Sequence, residues 1–145
     1  MEKKIDVLLI EDNANDAELT TLALKKGGLD LNILILNDGA KALEILDPSS
    51  EISQQQLSTS LKLILLDLKM PKVNGFEVLK SFRSHDKWRT VPIVILTSSA
   101  VESDIAAAYE FGANSYIVKP IEYSMHANAI TEAVRYWTTI NKTLN

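Results

Sequence analysis

The sequence predicts an α/β protein: a doubly wound sheet of five parallel strands in the order 2-1-3-4-5, with five helices. Three observations predict it. Five short apolar runs are each followed by a stretch of helical pattern. Glycine or proline closes several of the helical stretches. Residues able to do chemistry collect just past the apolar runs. Five β-then-α units in one modest domain imply a parallel sheet with helices on both faces. Right-handed crossovers prune the topologies, and 2-1-3-4-5 is the common solution for five units.

Residues 5–10 (IDVLLI) read as a buried first strand. Residues 14–26 form a helix stopped by Gly27-Gly28, glycine being favoured just past a helix end. Residues 31–36 (LNILIL) are the second strand, and 39–46 a short helix that ends before Pro48. Residues 47–60, DPSSEISQQQLSTS, are polar and rich in Ser and Gln, and read as a flexible surface loop. Residues 63–66 are the third strand. The helix 75–83 carries Phe76, Leu79 and Phe82 on one face. The fourth strand is 93–96 (IVIL), followed by a helix over 103–111 closed by Gly112. Residues 115–118 (SYIV) make a short fifth strand. The last helix, 124–140, has Ile130, Ala133, Val134, Trp137 and Ile140 at helical spacing.

At 145 residues the chain has enough length for one domain with a real core. Only NKTLN follows the last helix, so residues 1–145 are expected to form a single domain without an output domain. The net charge of −4 argues against nonspecific binding to nucleic acid or anionic membranes. No cysteine is present, which excludes disulfides, thiolate metal sites and a Cys nucleophile. No stretch reaches the ~18 apolar residues of a membrane helix, and the first apolar run is too short for a signal peptide. A cytoplasmic location is expected.

The stretch KLILLDLKMPK places Asp67 inside an otherwise apolar run. A charged side chain inside a buried strand costs several kcal/mol unless it is paired or metal-bound. The other strand ends resolve the conflict: Glu11-Asp12 follow the first strand, Thr97-Ser98 the fourth, and Lys119-Pro120 the fifth. In a doubly wound sheet these ends share one edge, and ligands bind where the strand order reverses, above strands 1 and 3. Glu11, Asp12 and Asp67 should therefore meet there, with Thr97 and Lys119 approaching from the side. Two unit charges ~4 Å apart repel by roughly 4 kcal/mol at an effective dielectric near 20. Lys119 offsets one charge and a divalent cation can offset the rest. All-oxygen ligands suit Mg²⁺ or Mn²⁺. A carboxylate beside a metal, a lysine and a hydroxyl also suits phosphoryl transfer through an acyl phosphate.

On LLIEDN, ILLDLKMPKVNGFEVL, PIVILTSSA and GANSYIVKPI, in that order and spacing, the chain resembles a response-regulator receiver domain of two-component signalling. The resemblance implies a flavodoxin-like fold and a phosphoacceptor signalling protein rather than an enzyme, one that assists its own phosphotransfer and dephosphorylation. Asp67 would accept a phosphoryl group from a histidine of a partner kinase. Asp12, Asp67 and the main-chain carbonyl of Lys69 would bind Mg²⁺, with Glu11 acting mostly through water. Thr97 would contact the phosphoryl group, Lys119 would pair with its oxygens, and Tyr116 would change rotamer with Thr97. The bond Lys119-Pro120 is often cis in this family. Lys69 and Ser99 occupy the two positions that tune phosphoryl lifetime. Glu11 stands where many members have Asp, and the 47–60 loop is longer than usual. The opening LLIEDNANDAEL and the ending with Tyr136-Trp137 resemble the stand-alone regulators that pair with bacterial phytochromes, often homodimers through the helix 4–strand 5–helix 5 face. A phytochrome-type histidine kinase is then the expected partner upstream, and a phosphotransfer or effector protein downstream.

Other residues admit plainer roles. Asp12 or Asn13 can cap the first helix. His85 and His126 are expected at the surface, Trp88 in a loop covering an edge, and Tyr136 and Trp137 either in the core or at an interface. Three other functions compete. A haloacid-dehalogenase-type phosphohydrolase needs a second acid two residues after its nucleophile, where Lys69 stands. A flavin- or nucleotide-binding protein needs a glycine- or hydroxyl-rich phosphate loop after strand 1, where EDNAND stands. A receiver-like protein-binding module acting without phosphorylation would not need the acid–Asp–Thr–Lys set, which is intact.

Overall fold

The computed structural model describes residues 4–50 and 61–144. Five parallel strands pair in the order β2-β1-β3-β4-β5, as expected. They are β1 (Val7–Ile10), β2 (Ile33–Leu36), β3 (Leu63–Leu66), β4 (Ile93–Thr97) and β5 (Ser115–Val118). The helices are α1 (Ala14–Lys26), α2 (Gly39–Glu44), α3 (Gly75–Arg83), α4 (Glu102–Glu110) and α5 (Tyr123–Arg135).

Strands β1, β3 and β4 are buried along their whole length, which explains their unbroken Leu, Ile and Val runs. Alternate residues serve opposite faces. Leu8, Ile10, Ile64, Leu66, Ile93 and Ile95 pack with Ala42, Val78, Leu79, Phe82 and Ala108 from α2, α3 and α4. Val7, Leu9, Leu63, Leu65, Val94 and Leu96 pack with Ala17, Leu24, Ile130 and Val134 from α1 and α5. The sheet thus separates two cores, and neither side of a central strand can take an unpaired polar residue.

Element ends differ from expectation where side chains compete with the ladder. Asp6 accepts from the Asn32 N–H at 2.8 Å, so the β1–β2 ladder starts at Val7 and Ile33. Beyond α2, Ile45 and Leu46 donate to carbonyls three residues back, which tightens the last turn. Helix α5 stops at Arg135 and widens into a π turn over Tyr136–Ile140, where Asn141 N–H reaches back to the Tyr136 carbonyl at 2.8 Å. Gly28 ends α1 with φ +81°, a left-handed conformation that glycine adopts without strain.

Four other expectations are corrected or bounded here. Trp88 is buried and stacks on Phe82, with ring centroids 6.0 Å apart, so it is part of the core. His126 is buried rather than at the surface, because α5 turns it toward the body of the protein. The Lys119-Pro120 bond is trans. Of the 47–60 segment, residues 51–60 lie outside the described residues; Asp47 accepts from the Ser49 N–H and hydroxyl, forming a turn.

Candidate carboxylate site at the C-terminal sheet edge

The register of the strands builds the site. Ile10 is aligned with Leu36 on one side and Leu66 on the other. The next residues, Glu11 and Asp67, are therefore level with each other at the mouth of the sheet. Each is still tied to its neighbour strand. Glu11 N–H donates to the Leu36 carbonyl at 3.0 Å, Asp67 N–H to the Ile10 carbonyl at 3.0 Å, and Lys119 N–H to the Thr97 carbonyl at 2.7 Å. The apolar run around Asp67 is resolved in this way: its backbone extends the sheet while its side chain leaves the core.

Capping leaves the acids free. Asn13, Asp38 and Asn74 cap α1, α2 and α3, accepting from the N–H groups of Asp16, Lys41 and Glu77. Asn13 is thus the cap of α1, and Asp12 is released into solvent beside Glu11. One oxygen from each of Glu11, Asp12 and Asp67 lies within 4.8 Å of the others. Glu11 and Asp67 are buried and Asp12 is exposed.

Lys119 is the ammonium that faces this cluster. It contacts Glu11 at 2.5 Å, Asp16 at 3.0 Å and Asp67 at 3.8 Å. Burial is the largest influence on Glu11 and, with the neighbouring Asp67, pushes its carboxyl up to about 8 despite Lys119. Burial pulls Lys119 down, but hydrogen bonding to Glu11 and the charges of Asp67 and Glu11 outweigh it and raise the ammonium above the ordinary lysine value. One cation therefore does not balance three acids. Hard oxygen donors left in negative excess suit Mg²⁺ or Mn²⁺, and a bound cation would favour the ionised form of Glu11.

Thr97, the last residue of β4, is fully buried, and its hydroxyl accepts weakly from the Ser99 N–H at 3.5 Å. The Lys69 N–H points at Asp67 Oδ1, 3.3 Å away. The Lys69 ammonium leaves the cluster and pairs with Asp104 at 3.0 Å. Ser99 Oγ donates to the same Asp104 carboxylate at 2.6 Å. Ser99 first, then Lys69, hold the Asp104 carboxyl below the usual aspartate range. Tyr116 is half-buried and donates to the Ser99 carbonyl at 2.9 Å.

The structure thus brings Glu11, Asp12, Asp67, Thr97 and Lys119 to one edge, with Lys69 and Tyr116 at its flank. Sequence reasoning missed three contributors. Asp16, in the first turn of α1, carries no sequence signal for a partner as distant as Lys119. Asp104 gave no signal, because its partners come from two separate loops. Gly75 looked like a helix start, yet a Cβ there would lie 2.4 Å from the Asp67 carbonyl oxygen. His85 and His126 make no contact with the carboxylates among the described hydrogen bonds and ion pairs.

A family model described as the response regulator receiver domain matches residues 7–134. The chain belongs to the response-regulator receiver family. It is 33% identical over 136 residues to the probable methanogenesis regulatory protein FilR2 of Methanothrix harundinacea, covering 94% of this chain and 85% of that protein. It is 37% identical over 113 residues to the response regulator Rcp1 of Synechocystis, covering 78% of this chain and 75% of that one. The Mn²⁺-bound crystal structure of Rcp1 superposes with a TM-score of 0.86 over 97% of this chain and 99% of that chain, at 30% identity. The phosphorylated cyanobacterial phytochrome response regulator RcpA superposes with a TM-score of 0.87 over 100% of both chains, at 29% identity.

As a receiver, the protein is a two-component signalling protein whose phosphodonor partner is a histidine kinase. Receiver domains bind Mg²⁺, and the Glu11–Asp12–Asp67 cluster can hold it. Its solved relatives include the cyanobacterial phytochrome response regulator RcpA and the bacteriophytochrome response regulator RtBRR. No helix among the described residues is long and apolar enough to cross a membrane.

Proposed function

We propose that this receiver takes a phosphoryl group onto Asp67 from a phosphohistidine of its partner kinase and signals by contact. The supporting observation is the placement of Asp67. It is a buried carboxylate one residue past β3, level with Glu11 and 3.8 Å from the Lys119 ammonium.

An Asp67 carboxylate oxygen attacks phosphorus. The new P–O bond forms as the P–N bond to the donor histidine breaks, and the imidazole leaves with that electron pair. Lys119 neutralises charge on the transferring group from one side. The Thr97 hydroxyl donates to a phosphoryl oxygen once the group is in place. Glu11, Asp12, Asp67 and the Lys69 carbonyl would hold Mg²⁺, or Mn²⁺, which when bound offsets the negative charge of the carboxylates and the phosphoryl oxygens. Burial of Asp67 limits bulk water at the acyl phosphate, and slow hydrolysis resets the protein.

The phosphorylated form works through a surface of the receiver domain. That surface is α4–β5–α5. Tyr116 on β5 faces the β4–α4 loop, and the exposed Tyr109, Val118 and Tyr136 lie on α4, on β5 and in the π turn that follows α5. Phosphorylation draws Thr97 toward the phosphoryl group, Tyr116 follows, and affinity at this face changes for a second copy or for a downstream phosphotransfer or effector protein. The phytochrome response regulators among its solved relatives support a phytochrome-type kinase upstream, and the second copy would form a homodimer through this face.

The test is phosphotransfer from an autophosphorylated bacterial phytochrome kinase to wild type and Asp67→Asn. Label should move to wild type alone. Label on neither protein, with tight binding to the kinase, would favour a binding module that works without phosphorylation. Label on both would show that another residue is the acceptor.

A further inference from the structure

The Lys119 ammonium has three N–H donors. Glu11 Oε1 takes one at 2.5 Å and Asp16 Oδ2 takes another at 3.0 Å. Asp67 Oδ2 stands at 3.8 Å, close enough for charge attraction but beyond a hydrogen bond. Asp16 starts from a fixed point, because its own N–H is held by the Asn13 cap at 3.0 Å. Its carboxylate spans 103 positions of sequence to reach Lys119.

From these distances we infer that Asp16 is a positioning residue for phosphoryl transfer: with Glu11 it keeps Lys119 off the resting Asp67 carboxylate and leaves its third N–H for an oxygen of the incoming phosphoryl group. The inference rests on Asp67 as the acceptor.

The physical reason is differential binding. An interaction made equally in the resting state and in the transition state does not speed the chemical step. A lysine seated directly on Asp67 would stabilise the free carboxylate and would have to be displaced. A lysine held one atom's breadth away meets oxygens only after the phosphoryl group has brought them. Glu11 alone cannot fix that position, since a flexible four-carbon stem with one anchor can still swing to the next anion. Asp16 supplies the second anchor, from a different element. Being only partly exposed, at 37% of its side chain, it acts through its hydrogen-bond geometry more than through screened charge.

The experiment compares full-length wild type, Asp16→Asn and Asp16→Glu. The readouts are the initial rate of uptake from acetyl phosphate at saturating Mg²⁺, the thermal midpoint, and the position of Lys119 in crystals. In Asp16→Asn, uptake should slow about three- to tenfold, a fraction of what a 1 Å misplacement can cost. The midpoint should stay unchanged, and Lys119 should move to within hydrogen-bond distance of Asp67. Asp16→Glu should recover part of the rate. Wild-type uptake by Asp16→Asn, or slow uptake with Lys119 unmoved, would overturn the inference. A wild type that takes no phosphoryl group and binds no beryllium fluoride would instead defeat Asp67 as acceptor. The Asp16→Asn crystal would then decide only whether Asp16 holds Lys119 off Asp67: a moved Lys119 supports that placement and an unmoved one overturns it.

Discussion

The Tyr116 hydroxyl donates to the carbonyl oxygen of Ser99 across 2.9 Å, joining β5 to the loop that leads from Thr97 into α4. Ser99 passes the connection on through its own hydroxyl to Asp104, and Asp104 to Lys69, whose N–H faces Asp67. A continuous polar path therefore runs from the phosphoacceptor loop to the β5 face. Removing its first link in Tyr116→Phe should lower stability by about 0.5–1.5 kcal/mol, the usual worth of one such hydrogen bond. Urea denaturation measures this. In the same variant, phosphorylation should no longer alter self-association. A variant with unchanged stability and unchanged response would show that the contact is incidental.

Asp104 is the joint of that path and stands in the first turn of α4, whose N-cap residue, Val101, offers no side-chain acceptor. Asp104→Ala should loosen both the β3–α3 loop and the start of α4. The signature is faster amide hydrogen exchange at Lys69 and through the first turn of α4. Asp104→Asn keeps an acceptor for Ser99 and loses the charge facing Lys69, so it should loosen Lys69 more than α4. Unaltered exchange in both variants would contradict the coupling.

Gly75 shows how tightly the phosphoacceptor loop is packed. An added Cβ would lie 2.4 Å from the Asp67 carbonyl oxygen and 2.6 Å from Leu68 Cα, both backbone atoms that cannot rotate away. Gly75→Ala should therefore destabilise by about 1–3 kcal/mol, the range for overpacking a dense interior. Because the clash falls on Asp67, phosphoryl uptake should also slow. A shift of the denaturation midpoint at constant slope is the expected result; a full-strength fold with normal uptake would show that the loop is softer than its contacts imply.

His126 is buried, and burial first, then the Lys119 charge, lowers its imidazole from the usual value of 6.5, with Asp16 opposing. The unfolded chain then holds the proton more tightly than the native one. The contribution of this group to stability is complete above 6.5 and is lost as pH falls from there through the depressed native value. Between about pH 7 and pH 5, His126→Gln should flatten the decline of stability with acid. A wild-type slope in the variant would assign the acid sensitivity to other groups.

The strands and the acids at their ends were legible because both follow from one rule: a buried parallel strand is continuously apolar until it leaves the sheet. Asp67, Glu11, Thr97 and Lys119 each break such a run, and the topology then gathers them. Asp16, Asp104 and Gly75 were not legible, since their roles depend on which loops meet in space. The burial of His126 and Trp88 was hidden for a related reason. A polar or loop-borne residue carries no periodicity of its own, and only packing by α3 and α5 decides its side. The ends of β1 and β2 were misplaced because Asp6 spends its carboxylate on Asn32.

Acceptance of phosphate by Asp67 is the central claim, and intact mass after incubation with acetyl phosphate tests it most directly. Wild type and Asp67→Asn are each treated with and without Mg²⁺. One phosphoryl adduct should form on wild type, require Mg²⁺, and be absent from Asp67→Asn. An equal adduct on the variant would contradict the assignment of Asp67. No adduct on wild type, together with no binding of beryllium fluoride, would contradict the phosphoacceptor itself.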